Sequence, residues 1–262
     1  MWELIKEFFG FDGFNREVEG YFSWQHLTFV TVLIIIMTTL AIYLGLRNKN
    51  KSDKVKNKVL IVAAILINGF ELLKILIFCV TDSSLRPILS NLPLFLCSIQ
   101  LITIPLAAFS KGRIKEAALD FVFIFGLLGA LLGTYLAGNN YSSYPVLSFP
   151  NVVSGITHCI SGFCSLYIVI SGLCSMKKKN IIVSYVILFA FCLVAYIANV
   201  LFETNYMFLM AGDGTPYDII YNLVNGNKVI YPLIVVCLFI AYISIFYYIF
   251  MLIKNNKSKK LA

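Results

Sequence analysis

The chain has 262 residues, of which 60% are hydrophobic and 13% charged, and a formal net charge of +8. Soluble domains carry about a quarter charged residues, so this composition belongs in a bilayer and excludes an ordinary soluble enzyme. A nucleic-acid footprint needs basic residues gathered on a solvated domain; no soluble stretch here is long enough to hold one, and the positive charge marks loops.

Residues 1–25 place Trp2, Leu4, Ile5, Phe8, Phe9, Phe11 and Phe14 among acidic residues. That pattern predicts either an amphipathic piece lying in the membrane interface or a loop packed over the bundle. The region before the first apolar run has mixed charge and no small-residue cleavage site follows, so no removable signal peptide is expected. Seven stretches then reach the roughly 20 apolar residues that cross about 30 Å of hydrocarbon: 26–46, 59–80, 91–110, 115–137, 152–176, 181–202 and 229–253. The expected fold is all-α, a polytopic membrane protein with a seven-transmembrane-helix bundle over residues 26–253. An extracytoplasmic or interfacial segment, 1–25, precedes it and a basic tail, 254–262, follows.

Orientation follows from the loops. Sixteen lysines and arginines fall in 47–58, in the turns after the third and fifth spans, and in the tail; Lys6, Arg16, Arg86 and Lys228 make up the other side. The positive-inside rule then puts the N-terminus outside and the C-terminus in the cytoplasm of a multi-pass cell-membrane protein. Two outer loops, 138–151 and 203–228, are long enough to carry structure. No internal repeat suggests an inverted-repeat transporter. The seven cysteines lie in or beside apolar segments without zinc-type spacing, so free thiols are expected, with no metal site and no cofactor. Gly126, Gly129 and Gly133 read as a close-packing surface for a neighbouring helix rather than a ligand site.

A strongly polar side chain inside a spanning helix costs on the order of 2.5–3.5 kcal/mol, so each one asks for a partner, a cavity or a function. Glu71 and Lys74, three apart, form an internal ion pair, or Glu71 orients an imidazole or a substrate head group. The third span carries Cys97 and Gln100 on one face; a buried cysteine is commonly a small hydrophobe. His158, in the fifth span, shares its face with Ser154, Gly155, Ser161, Gly162 and Ser165, which leaves room beside the ring; the alternative is a satisfied core histidine. The sixth span ends with Tyr196, Asn199 and Glu203, followed by Asn205 and Tyr206. His26 opens the first span, where interfacial anchoring accounts for it. Cys97 and His158 each lie six residues past the outer start of an inward-running span, about 9 Å deep by the helical rise. They are expected at one level, in a polar pocket open to the outer leaflet, because the cytoplasmic halves of these helices are almost purely apolar.

The string Leu92-Pro93-Leu94-Phe95-Leu96-Cys97-Ser98, His158 in the fifth span and Asn205-Tyr206-Met207-Phe208-Leu209 after the sixth together resemble the YwaF-like integral membrane proteins of bacteria, from His26 through the last span. That wider family is similar to an animal transmembrane acyltransferase that moves polyunsaturated acyl chains onto ether phospholipids. The resemblance implies a Cys97/His158 dyad. Members often carry His two residues after the proline, where this chain has Phe95, and the family cysteine falls either at Cys97 or nearer the proline, at Leu94.

The function expected is a membrane lipid acyltransferase. Cys97 would be the nucleophile, His158 its base, Glu71 or Gln100 the orienting group, and Asn199 or Asn205 the oxyanion donor; Lys74 and Tyr206 belong to the substrate-binding or orienting set. The expected partner is a membrane lipid or lipid-like substrate, with no nucleic acid and no nucleotide. The alternative is a transporter or solute-binding membrane protein, which needs polar residues continuing to the cytoplasmic side. Rhodopsin-like and receptor-like readings fail for want of a lysine in the last span and of Asp-Arg-Tyr and Asn-Pro-x-x-Tyr motifs. No Walker, Rossmann, zinc-protease or serine-hydrolase motif is present.

Overall fold

In hydrocarbon every backbone N–H and C=O must be satisfied within its own segment, so long apolar runs become helices. The computed structural model describes residues 1–11, 13–174 and 176–259, with side chains as far as Ile253; the end of the predicted tail, 260–262, lies outside them. Every regular element among the described residues is helical. Six helices are long and apolar enough to cross a membrane: α2 (Trp24–Asn48), α3 (Asp53–Thr81), α6 (Gly112–Tyr135), α8 (Phe149–Ile170), α9 (Ile181–Phe202) and α11 (Ile230–Lys259). Shorter helices are α1 (Trp2–Phe9), α4 (Arg86–Ser90), α5 (Gln100–Phe109), α7 (Gly138–Ser143) and α10 (Tyr217–Leu223). Both long loops, 138–151 and 203–228, thus carry helical structure.

The third predicted crossing departs from expectation: residues 91–99 are irregular and only α5 is helical. Pro93 has no N–H and disfavours helical geometry at Leu92. The Ser98 hydroxyl accepts from the Phe95 N–H at 3.0 Å and donates to the Phe95 carbonyl at 3.2 Å, closing a local turn that competes with helix. The segment still descends beside α3. Leu92 shares a cavity wall with Lys74, and the Ala108 carbonyl accepts from Asn57 Nδ2 at 2.7 Å. Seventeen residues of α3 separate those levels, about 25 Å by the helical rise.

The core lies on α6 and α8. Their apolar stretches are 61% and 56% buried, against 22–28% for the other long helices. A Cβ on Gly126 would fall 2.8 Å from the Ser161 carbonyl oxygen, and one on Gly162 would fall 2.6 Å from the Ala130 Cβ, so small residues let the two backbones close in. Ser165 donates to the Phe123 carbonyl at 2.9 Å. The small residues around His158 are thus mostly consumed by packing, with Gly155 under Leu33 and Phe29 of α2; only Ser154 borders open space beside the ring. On either side, α2, α3 and α5 pack on this pair and α9 with α11 completes the other flank.

Two further features tie the ends of elements together. In α1, Phe8 and Phe9 pack on Phe149, with ring centroids 6.0 and 4.8 Å apart, while Trp2 and Leu4 stay exposed, so the helix both packs over the bundle and presents an apolar edge. Glu7 accepts the N–H groups of Asn15 and Arg16 at 3.0 Å, and those bonds hold its carboxyl below the usual glutamate range. His26, in the first turn of α2, is fully buried. Its Nδ1 accepts from the Phe22 N–H at 3.2 Å, its Nε2 donates to the Thr134 carbonyl at 3.0 Å, and its ring lies against that of Tyr141, tilted, with centroids 3.8 Å apart. It joins the start of α2 to the end of α6.

Candidate functional site

The site is built where the irregular segment 91–99 crosses α6. Gly129 and Gly133 stand one turn apart there, and each makes room for a different neighbour. A Cβ on Gly129 would lie 3.5 Å from the Cα and Cβ of Cys97, and a Cβ on Gly133 would lie 2.3–2.7 Å from three atoms of the His158 ring. The imidazole therefore sits directly on the Gly133 backbone and pairs with the backbone of Gly129. Read as packing residues from sequence, these two glycines also seat the candidate dyad; the Gly129-x-x-x-Gly133 spacing was the available signal. Cys97 packs on Gly129, and the His158 ring, seated on Gly133 one turn away, also reaches the Gly129 backbone.

Both residues line one cavity of about 130 Å³, together with Glu71, Lys74, Ser154 and Thr157. Lys74 Nζ and Glu71 Oε1 are 2.7 Å apart, and the two side chains are only 14% and 13% exposed, so the pair holds itself in a largely apolar wall. A polar vestibule of about 300 Å³ adjoins; it shares Lys74, Ser90, Asn91 and Ser154 with the first cavity and adds Asp82, Asn140 and Tyr144. On the other side of Cys97 lies an apolar cavity of about 560 Å³. Its walls include Phe125, Leu128, Leu132, Met207 and Phe208, with Tyr21 contributed by the segment before α2 and Tyr217 by the start of α10. Cys97 and Phe95 line both the polar and the apolar cavity.

The remaining predicted site residues hold this arrangement rather than face it. Asn199 Oδ1 accepts from the Tyr206 N–H at 2.6 Å and from the Thr204 hydroxyl at 3.0 Å, while its Nδ2 donates to the Tyr206 carbonyl at 3.0 Å. Asn205 Oδ1 accepts from the N–H groups of Met210 and Ala211, and its Nδ2 donates to the Ala211 carbonyl and to Asp213. These bonds offset the cost of left-handed backbone at Met207 and Phe208, both at φ 55°, a region that non-glycine residues avoid. The loop so held turns Met207 and Phe208 into the apolar cavity. Tyr206 reaches further: its hydroxyl accepts from the Leu92 N–H at 3.1 Å and donates to the Leu89 carbonyl, and its ring meets Phe95 edge-on at 5.0 Å. Tyr206 thereby pins the segment that carries Cys97. Gln100 is fully buried and accepts from the Thr103 hydroxyl at 3.0 Å, away from the cavity walls.

A second polar cluster lies toward the Gly112 end of α6. Asp120, buried on α6, accepts from Cys174 Sγ, the Met176 N–H, Asn180 Nδ2 at 2.8 Å and the Tyr247 hydroxyl at 3.0 Å. Four donors satisfy its two oxygens, and none of these residues lines the Cys97 cavity. No disulfide joins the cysteines among the described residues, and no group of three or more His, Cys, Asp or Glu among them could hold a metal.

Neither the curated proteins nor the solved structures yield a match to the chain. The sequence profile of the TMEM164 family matches residues 21–250. That stretch takes in Cys97, His158, the loop at 205–209 and nearly all of the six long apolar helices. The chain belongs to the TMEM164 family and is an integral membrane protein.

Proposed function

We propose that the protein is a membrane-embedded lipid acyltransferase in which Cys97 is the nucleophile and His158 its base. One observation carries this reading: Cys97 stands in the wall between a polar cavity holding His158, Glu71 and Lys74 and an apolar cavity of about 560 Å³. An acyl ester has that same division, with its carbonyl at the boundary between a hydrocarbon chain and a polar head. His158 takes the thiol proton, and Lys74 supplies a cation against which the thiolate can form. The thiolate attacks the donor ester carbonyl, the C–O bond breaks, and the departing alkoxide takes the proton from His158, leaving a thioester on Cys97. An acceptor hydroxyl entering through the vestibule then gives its proton to His158 and attacks the thioester, and the C–S bond breaks to restore the thiol.

The resemblance to YwaF-like proteins and, through them, to an animal phospholipid acyltransferase supports the same pair. Phe95 stands where those relatives often have His, and it packs on Tyr206, which leaves His158 as the base. Seven passages with the N-terminus outside, the third made of 91–99 and α5, would open the vestibule toward the outer leaflet. The test is to replace Cys97 with Ala and His158 with Ala in the full chain and follow the phospholipid acyl profile of the host. Each variant should abolish the shift that the unaltered protein produces; the same shift with both would contradict the proposal.

A transporter is the second reading, and the Asp120 cluster is the observation that favours it, since it gives α6 polar groups near both ends. That reading requires activity to survive Cys97→Ala and to fail with Asp120→Asn.

A further inference from the structure

Helices α2 and α3 are joined by a short turn, yet α2 packs chiefly on α8, and α3 on α8 and α5, rather than on each other. Between them lies a membrane-facing groove of about 560 Å³ whose floor is Ile156, Cys159, Ile160 and Phe163 of α8. These residues lie on a different face of α8 from His158, so the groove is separate from the Cys97 cavity. Its walls are aliphatic along their length, from Leu33 to Leu44 on α2, about 16 Å by the helical rise, and from Val59 to Leu66 on α3. One charged residue lines it, Lys58, at the end where the chain turns from α2 to α3. Arg47, Lys51 and Lys54 stand at the same end. A lysine stem can lie along apolar surface while its ammonium reaches the head-group level, and basic pockets between spanning helices recognise anionic lipid head groups.

We propose that this groove binds one anionic glycerophospholipid from the leaflet at the basic loops, an acyl chain lying in the groove and the phosphate on Lys58. The charge at one end and the three-sided apolar trough leading from it match that ligand in both sign and shape. The inference does not rest on the acyltransferase reading.

The full chain is reconstituted in nanodiscs of phosphatidylcholine with a minority of phosphatidylglycerol, and retained lipids are identified by native mass spectrometry. The unaltered protein should retain phosphatidylglycerol at about fivefold over its share of the bilayer, the factor expected of one well-placed cation. Lys58→Glu should return retention to the bulk ratio. Val62→Trp and Leu40→Trp, at exposed positions on opposite walls, should each abolish retention without lowering the thermal transition. Lys178→Glu, in another basic loop, should leave retention unchanged. The proposal is overturned if Lys58→Glu has no effect, if Lys178→Glu does as much, if both tryptophan variants keep the lipid, or if a second copy of the chain covers the groove in its place.

Discussion

Gly129 and Gly133 make different demands on a side chain, and that difference separates packing from function. A methyl group at Gly129 would meet Cys97 at 3.5 Å, an ordinary contact, whereas one at Gly133 would occupy the space of the His158 ring. The ring is the movable partner, so Gly133→Ala should displace the imidazole rather than unfold the bundle. Acyl transfer by Gly133→Ala should fall about tenfold or more, the equivalent of roughly 1.4 kcal/mol of barrier, while Gly129→Ala stays within about twofold. Rates measured beside thermal transitions test this, and a Gly129→Ala variant that is the more impaired would contradict it. The polar residues of the site were visible in the sequence as anomalies, but their partners were not. Asn199 and Asn205 are anomalous in an apolar chain whether they face a substrate or brace a loop, and only the positions of the Tyr206 and Ala211 backbones distinguish the two.

At the scale of the element, the segment 91–99 is the structure that the rest of the site depends on. Its backbone is irregular, so its placement rests on outside contacts, of which the Tyr206 hydroxyl supplies two. Tyr206→Phe leaves the ring against Phe95 and removes both bonds. It should cost about 1–3 kcal/mol of stability, the usual price of a buried backbone group left without its partner, and alkylation of Cys97 should become several-fold faster as the segment loosens. Unchanged alkylation would mean that the segment is held by other means. Six helices could be read from hydropathy because apolar length and backbone satisfaction together dictate a helix. The same reasoning failed at 91–99: apolarity fixes where a segment resides but not its conformation when surrounding protein can satisfy the backbone, and Pro93 was the local sign that it would.

At the scale of the molecule, the basic loops gather at one end and the Cys97 cavity with its vestibule lies toward the other. Arg113 donates to the Lys179 carbonyl at 3.0 Å, Lys115 reaches Asn57, and Lys177 meets Glu116, so the turns before α3, before α6 and before α9 converge. The positive-inside rule, applied to this cluster, would put it in the cytoplasm and the Cys97 vestibule at the opposite face. A membrane-impermeant thiol reagent added outside intact cells should therefore label Asn222→Cys and spare Lys178→Cys; the reverse pattern would invert the topology. Trapping the acyl intermediate on Cys97 tests the proposed function most directly. The full-length protein, incubated in membranes with a labelled acyl donor and quenched in acid, should carry a hydroxylamine-sensitive label that maps to Cys97, is absent from Cys97→Ala and is strongly reduced in His158→Ala. Label that persists in Cys97→Ala, or none on the active protein, would contradict a thioester at this residue.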